Sequence, residues 1–335
     1  MFGALRSIVV IAMLTMPISV AQAADKLTLA VHSVTSNLAT VYVAKGAKLF
    51  EAEGVDVTIN DLGGGTNVVA SLVGGSADVA AIGMGNFLQA RSRGQDLKAF
   101  AMTVRGYPNW VVASAKMLEE VKLTSQAPLQ DRLQALRGRT IAVNDMGGSA
   151  GDFIRGLLAR GGLKEGDVTL INMPSGAARL AALKAGRIDA ALSYPPEPET
   201  ATLEGYGKLF ISALEDLPET KNVEFIPLVA QKDFLANNRD AVIKLARAIQ
   251  RAADMLSKEP DRARDIFFTE MELKGKGKGL AKELQQPMWS EMLKYNAQPA
   301  SVSKTAFANA MTYFKAPAGS TMDALVDATI LPEAQ

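Results

Sequence analysis

The chain carries nearly the same message twice. Residues 72–80 read Leu-Val-Gly-Gly-Ser-Ala-Asp-Val-Ala, and residues 183–191 read Leu-Lys-Ala-Gly-Arg-Ile-Asp-Ala-Ala, at an offset of 111. The flanks repeat in the same order. Thr28-Leu-Ala-Val31 is echoed by Thr140-Ile-Ala-Val143, and Asp56-Val-Thr-Ile59 by Asp167-Val-Thr-Leu170. Two similar halves predict two similar lobes. Two lobes that face each other make a cleft, and ligand sites favour such interfaces.

The first 23 residues read as a secretory signal peptide rather than as part of the fold. Arg6 supplies the positive end, 8–16 is a short apolar run, and Ala21-Gln22-Ala23 is a small-residue cleavage site. Cleavage after Ala23 starts the mature chain at Ala24. The run is too short to span a bilayer, which takes about 20 apolar residues. The expectation is a soluble, exported, periplasmic protein.

The chain holds 36 basic and 35 acidic residues, and the leader takes only Arg6 with it. A balanced mature chain lacks the basic face a nucleic-acid partner needs. Cysteine is absent and His32 is the single histidine. That argues against disulfides, thiol nucleophiles and a zinc site, which draws on several His or Cys ligands. No cofactor and no metal are expected.

Periodicity predicts strands over 27–31, 55–61, 78–82 and 97–104, then over 140–143, 167–172 and 188–193, and one more over 225–230. Helices are predicted over 39–52, 68–73, 87–93, 152–160 and 177–185, and beyond 225 over 239–257, 260–268, 280–295 and 303–314. Strands that alternate with helices imply an α/β fold with parallel sheets covered on both faces. Prolines 195, 196 and 198 are expected to stop regular structure after the 188–193 strand. Lys274 to Gly279 reads as a solvated turn.

In such sheets ligands bind beyond the carboxyl ends of the strands. Five loops fall there: 32–37, 63–67, 83–86, 144–149 and 193–197. They supply His32, Ser36, Asn37, Thr66, Asn67, Gly85, Asn86, Asp145, Gly148, Ser149, Tyr194 and Glu197 as candidate ligand-binding residues. Several of these loops open into helices, whose free amides suit anions. Thr66, Asn67, Asn86 and Ser149 are natural helix caps, so each either caps or binds. Arg105 and Trp110 lie where the chain crosses between the halves. Arg105 is placed to pair with an anionic ligand. Trp110 and Tyr107 either wall the cleft or pack the lobes together. Asp145 and Glu197 would answer a cationic group on the ligand if they face it, and are otherwise solvated carboxylates. The repeated acids Asp78 and Asp189 precede strands on the far side and read as turn stabilisers.

Gly147-Gly-Ser149-Ala-Gly151 fits the G-x-S-x-G pattern of a hydrolase nucleophile elbow, but no histidine follows Ser149 to act as base. The Gly63–Asn67 loop lacks the Gly-Lys-Ser/Thr ending of a phosphate loop.

These residues resemble the periplasmic solute-binding proteins of ABC transporters, in the group that serves aliphatic sulfonates, taurine, nitrate and thiamine-pyrimidine precursors. The resemblance runs through Tyr42-Val-Ala-Lys-Gly-Ala-Lys-Leu-Phe50-Glu-Ala-Glu-Gly54-Val-Asp-Val57, the 63–67 loop, and the glycine–aspartate turn at 75–78. It continues through Leu136-Arg-Gly-Arg-Thr-Ile-Ala-Val143 and Asp189-Ala-Ala-Leu-Ser-Tyr-Pro-Pro-Glu197. It implies a type II periplasmic binding protein fold, with lobe one formed by 24–106 plus 225–335 and lobe two by 107–224. It also implies hinge closure on a small organic anion, a monomer, and an ABC permease with its ATPase at the inner membrane as partners. Some relatives are enzymes that build a thiamine pyrimidine with a histidine and a cysteine-rich motif. This chain has no cysteine, so the resemblance points to a binding protein, with an exported enzyme or a ligand sensor as the alternatives.

Overall fold

The computed structural model describes residues 24–32, 36–274 and 282–332. The signal-peptide reading and most of the 274–279 turn lie outside them. Among the described residues ten strands form two five-stranded sheets. They are β1 (Asp25–Val31), β2 (Val55–Asp61), β3 (Val79–Ala81), β4 (Leu97–Arg105), β5 (Trp110–Ser114), β6 (Thr140–Val143), β7 (Thr169–Asn172), β8 (Ala190–Ser193), β9 (Gly207–Ser212) and β10 (Glu224–Gln231). The first sheet has the order β2-β1-β3-β10-β4 and the second β7-β6-β8-β5-β9.

The two orders are one plan used twice. β1, β2, β3 and β4 correspond to β6, β7, β8 and β9. In each sheet the fourth position is filled by a strand that arrives from the other half: β10 in the first, β5 in the second. Both run antiparallel to their neighbours, while β1 with β2 and β3, and β6 with β7 and β8, are parallel. The all-parallel expectation is therefore corrected to two mixed sheets. A chain that crosses once from each lobe to the other enters the new sheet from the opposite end. Helices flank both sheets, completing an α/β two-lobed type II architecture.

The predicted strands are present, most within two residues of their expected bounds. β5 and β9 were not anticipated. The predicted helix over 39–52 divides into Ala39–Gly46 and Leu49–Ala52, because Lys48 takes the left-handed conformation at φ 55°. The prolines end β8, but helix Glu197–Leu203 follows at once, with Pro198 in its first turn, where a missing amide costs nothing. The C-terminal helices Arg239–Lys258, Pro260–Leu273, Lys282–Asn296 and Lys304–Tyr313 pack on the first lobe. Arg239–Lys258 buries Val242, Leu245, Ala246, Ile249 and Ala253 at helical spacing. Among the described residues no helix is long and apolar enough to cross a membrane.

The repeated aspartates do the same thing in both lobes. Asp78 accepts the Thr28 amide at 2.8 Å and its own amide donates to the Thr28 carbonyl. Asp189 accepts the Thr140 amide at 2.9 Å and donates to the Thr140 carbonyl. Each carboxylate thus pins the first parallel strand of its sheet to the third. Asp78→Ala and Asp189→Ala should each lower stability by about 1–3 kcal/mol, the cost of a part-buried amide left without its charged acceptor. Ligand affinity should stay unchanged, since both sit away from the cleft. Urea unfolding beside a binding titration checks both halves of that expectation.

Candidate functional site

Three helices point their N-termini into the seam between the lobes: Gly65–Val73 and Met84–Ser92 from lobe one, and Ser149–Arg160 from lobe two. Each starts one or more residues earlier than periodicity suggests. Their N-cap positions are Gly64, Gly83 and Gly148, and none carries a side-chain cap. Thr66, Asn67, Asn86 and Ser149 consequently fall inside the first turns and do not cap their own helices. Elsewhere, Ser114, Ser175, Ser212, Ser303 and Thr321 each cap their helix with a side-chain oxygen. Among the described residues the glycine starts are thus confined to the seam. Gly63 and Gly64 also hold φ of 66° and 133°, which favour glycine.

The missing caps come from the opposite lobe. Asp145 Oδ2 accepts the Thr66 amide at 3.2 Å, and the Thr66 hydroxyl donates to Asp145 Oδ1 at 3.1 Å. Asn86 Oδ1 accepts the Ser149 amide at 3.2 Å and the Ser149 hydroxyl at 3.0 Å. The Asn86 amide in turn donates to Ser149 Oγ at 3.3 Å. Asn86 and Ser149 are 5% and 6% exposed, so these exchanges are shielded from water. Glycine makes the approach possible. A Cβ on Gly85 would lie 2.8 Å from Ser149 Oγ, and one on Gly148 would collide with the Asn86 amide group. Tyr107 braces the contact from behind, donating its hydroxyl to the Ser149 carbonyl at 2.6 Å. Outside this latch a groove of about 310 Å³ is lined by Thr66, Asn67, Asn144, Asp145 and Asn172.

The remaining candidates divide. Asn67 donates to the Leu62 carbonyl of its own loop at 2.9 Å. Ser36 and Asn37 are fully buried in a short turn after β1, and the Ser36 carbonyl accepts Asn296 Nδ2 at 2.9 Å. The His32 carbonyl accepts the Gly64 amide at 2.9 Å. Burial holds the His32 imidazole below its usual value, against the pull of the Ala81 backbone, Asp61 and Asp145, so it is neutral at pH 7. The Tyr194 hydroxyl donates to Asn144 Oδ1 at 3.3 Å, and burial pushes its pKa up. Trp110 opens β5 with its ring 5.9 Å from that of Tyr295, on the helix Lys282–Asn296. It packs one lobe on the other.

Two expectations are corrected. Arg105 does not wait for an anion: its Nη2 donates to Glu224 Oε1 and to the Ser301 carbonyl, both at 3.1 Å. Glu224 is fully buried and also accepts the Ser303 amide, so Arg105 clamps the C-terminal segment to β10. Glu197 is neither solvated nor free for a cation. It accepts two bonds from Arg179 Nη2, at 2.7 and 3.0 Å. Each partner lies on a different element, Arg179 on helix Gly176–Lys184 and Glu224 on β10, so no local signal announced them. The Ser149 hydroxyl is engaged by Asn86 and not by an imidazole, which leaves the elbow motif without its base among the described residues.

A family model described as NMT1/THI5 like matches residues 35–263. No curated protein matches. Among solved structures, a protein of Bordetella bronchiseptica RB50 is 25% identical over 91% of this chain and 93% of its own, with a TM-score of 0.73. The alkanesulfonate-binding protein SsuA of Xanthomonas axonopodis pv. citri, bound to MOPS, is 19% identical over 88% and 92%, at 0.69. The periplasmic nitrate-binding protein NrtA of Synechocystis PCC 6803 is 15% identical over 92% and 87%, also at 0.69. With two mixed sheets on one repeated plan and a family match over most of its length, the chain belongs to the NMT1/THI5-like family.

Proposed function

We propose that this protein is the solute-binding subunit of an ABC importer. Residues 1–23 direct it to the periplasm, and lobes 24–106 plus 225–335 and 107–224 close by a hinge on a small organic acid, sulfonate-like or related. The closed protein then docks on a membrane permease served by its ATPase. The observation that carries this reading is the set of three glycine-capped helix ends that find caps only across the seam. When the lobes part, the Thr66, Asn86 and Ser149 amides lose those acceptors. An acid entering the open cleft supplies anionic oxygens in their place, and the lobes close around it. A partly buried helix terminus contributes about 1–2 kcal/mol to an anion. Three together give about 3–6 kcal/mol, a factor of 10² or more in affinity. The sulfonate and nitrate binding named for two structural neighbours fits this chemistry.

The test is thermal unfolding of residues 24–335 against sulfonates, nitrate, carboxylates, amino acids and pyrimidines at fixed ionic strength. A ligand at 100 times its Kd adds about 2.7 kcal/mol of stability, which is several degrees for a protein of this size. A shift with one class of acid and no product formed is the expected result. Product that appears with the wild type and vanishes in His32→Ala would move the reading to the enzyme alternative. No shift with any acid would refute the acid assignment.

A further inference from the structure

Beyond its first turn, helix Ser149–Arg160 borders a second cavity of about 680 Å³, which shares no residue with the groove at the latch. One wall is lobe two, with Phe153, Gly156 and Leu157 of that helix and Leu217 beside them. The other is lobe one, with Tyr313 and Phe314 at the end of helix Lys304–Tyr313. Tyr107 closes the floor where the chain crosses between the lobes. Its ring meets those of Phe153, Tyr313 and Phe314 edge-on, at 5.3, 5.2 and 5.4 Å. Small-molecule sites favour such a place, between lobes and walled by apolar and aromatic side chains, and commonly enclose about 300–1,000 Å³.

Gly156 gives a second, independent sign. Glycine is the weakest helix former after proline, so a glycine inside a helix calls for a reason. The other α-helical glycines among the described residues have one. A Cβ on Gly46, Gly65, Gly85, Gly151 or Gly176 would come within 3.0 Å of another residue. A Cβ on Gly156 would meet nothing within 4 Å, and its backbone is not in the left-handed region. Neither packing nor conformation within the protein accounts for it. Its effect is to keep the helix bare where it lines the cavity. The rim supplies charge, and unevenly. Arg155 is held by Asp152 and Glu165, at 3.0 and 3.8 Å, and Arg160 by Glu219. Lys315, which follows Phe314 on the rim, has no ion pair and no side-chain hydrogen bond among the described residues.

We propose that this cavity is a second binding site, separate from the cleft at the helix ends, and that it takes an aromatic carboxylate. The ring lies between the Tyr313–Phe314 wall and the bare helix face at Gly156, where aromatic contacts add to simple burial. The carboxylate pairs with Lys315. The two walls belong to different lobes, so the occupant distinguishes one lobe arrangement from another. Tyr107, on the floor, also donates to the Ser149 carbonyl of the latch. The second ligand therefore favours the arrangement in which the latch is made, and closure in turn tightens the second ligand.

The probe is 2-naphthoate, with 2-naphthamide as its uncharged counterpart and cyclohexanecarboxylate as its non-aromatic one. Each is titrated calorimetrically into residues 24–335 at pH 7.5 and fixed ionic strength. Naphthoate should bind wild type several-fold tighter than either counterpart. Gly156→Trp fills the cavity from a position with room for a side chain. It should weaken naphthoate tenfold or more without lowering the unfolding temperature. Lys315→Gln should bring naphthoate down to the level of naphthamide and leave naphthamide as it was. Gly85→Val, whose side chain meets Ser149 across the seam, should weaken naphthoate several-fold. Naphthoate that does not bind wild type would overturn the inference. So would naphthoate that binds Gly156→Trp as it binds wild type, since it would then lie elsewhere, the cleft included. Equal affinities for naphthoate and naphthamide would overturn the choice of an acid, and unchanged binding to Gly85→Val the link to closure. The importer reading stands or falls separately, on the panel of acids.

Discussion

Arg179→Met is expected to destabilise the protein by about 3–5 kcal/mol at pH 7.5, enough to lower the unfolding temperature by roughly 10 °C. Arg179 is 2% exposed. One of its nitrogens serves both oxygens of Glu197, and another serves the Met173 and Pro174 carbonyls at 2.8 and 3.0 Å. Methionine fills the volume but abandons a buried carboxylate and two carbonyls. The pH dependence has a definite sign. Burial already raises the Glu197 carboxyl above its ordinary value, and Arg179 pulls it back. Without Arg179 the folded-state pKa climbs further. A carboxyl raised in the folded state favours folding below its unfolded value and loses that contribution as pH rises through the folded one. The deficit of Arg179→Met should therefore shrink at pH 4.5, where Glu197 is protonated, and grow toward pH 8. Adding Glu197→Gln to Arg179→Met is the contrast, because it removes the carboxyl that titrates. The extra loss toward pH 8 should then disappear. Urea unfolding of the single and double variants at the two pH values measures this. Equal pH profiles would show that Glu197 is not the group responding.

This pair also shows where a sequence stops being legible. The repeat exposed three strand equivalences, and the aspartates that open β3 and β8 could be read as turn stabilisers, because their partners sit at the same point in each half. β5 and β9 could not be read in this way. β5 is a five-residue buried run, Trp110 to Ser114, and a short apolar run carries no period of its own. The glycines at 64, 83 and 148 looked like loop glycines, while Thr66, Asn86 and Ser149 looked like caps. Their actual role depends on a facing lobe that local pattern does not contain. Arg105 was read as a partner for an anionic ligand, and Glu197 as facing a ligand cation or else solvated. Which partner each takes is a question of tertiary distance, and Glu224 and Arg179 are the groups that the fold brings to them. Helix Glu197–Leu203 was overlooked because the prolines at its start read as an end to structure, whereas proline in a first helical turn begins one.

Gly85→Val should separate folding from closure. Gly85 is the second residue of helix Met84–Ser92. Its nearest would-be neighbours all belong to Ser149 of the other lobe, Oγ at 2.8 Å, Cα at 3.3 Å and Cβ at 3.4 Å. A hydroxyl can rotate away from a new methyl group, but a Cα cannot. Valine therefore keeps the lobes apart along this line. Overpacking costs about 1–3 kcal/mol. Losing the three Asn86–Ser149 exchanges, at about 1 kcal/mol each, brings the closed form to roughly 4–6 kcal/mol above its present level relative to the open one. A ligand that binds through closure then loses that much affinity, a factor of about 10³ to 10⁴. Lobe one itself should gain a few tenths of a kcal/mol, since valine is the better helix former. The ligand-free unfolding temperature should thus hold while calorimetric binding collapses, and small-angle scattering should report a larger radius of gyration. Gly148→Ala applies the same block from the facing side, against Asn86. The double variant should do little more than either single one, because one obstruction already holds the seam open and coupled sites do not add. Binding that survives both substitutions would mean that the ligand never required this seam to shut.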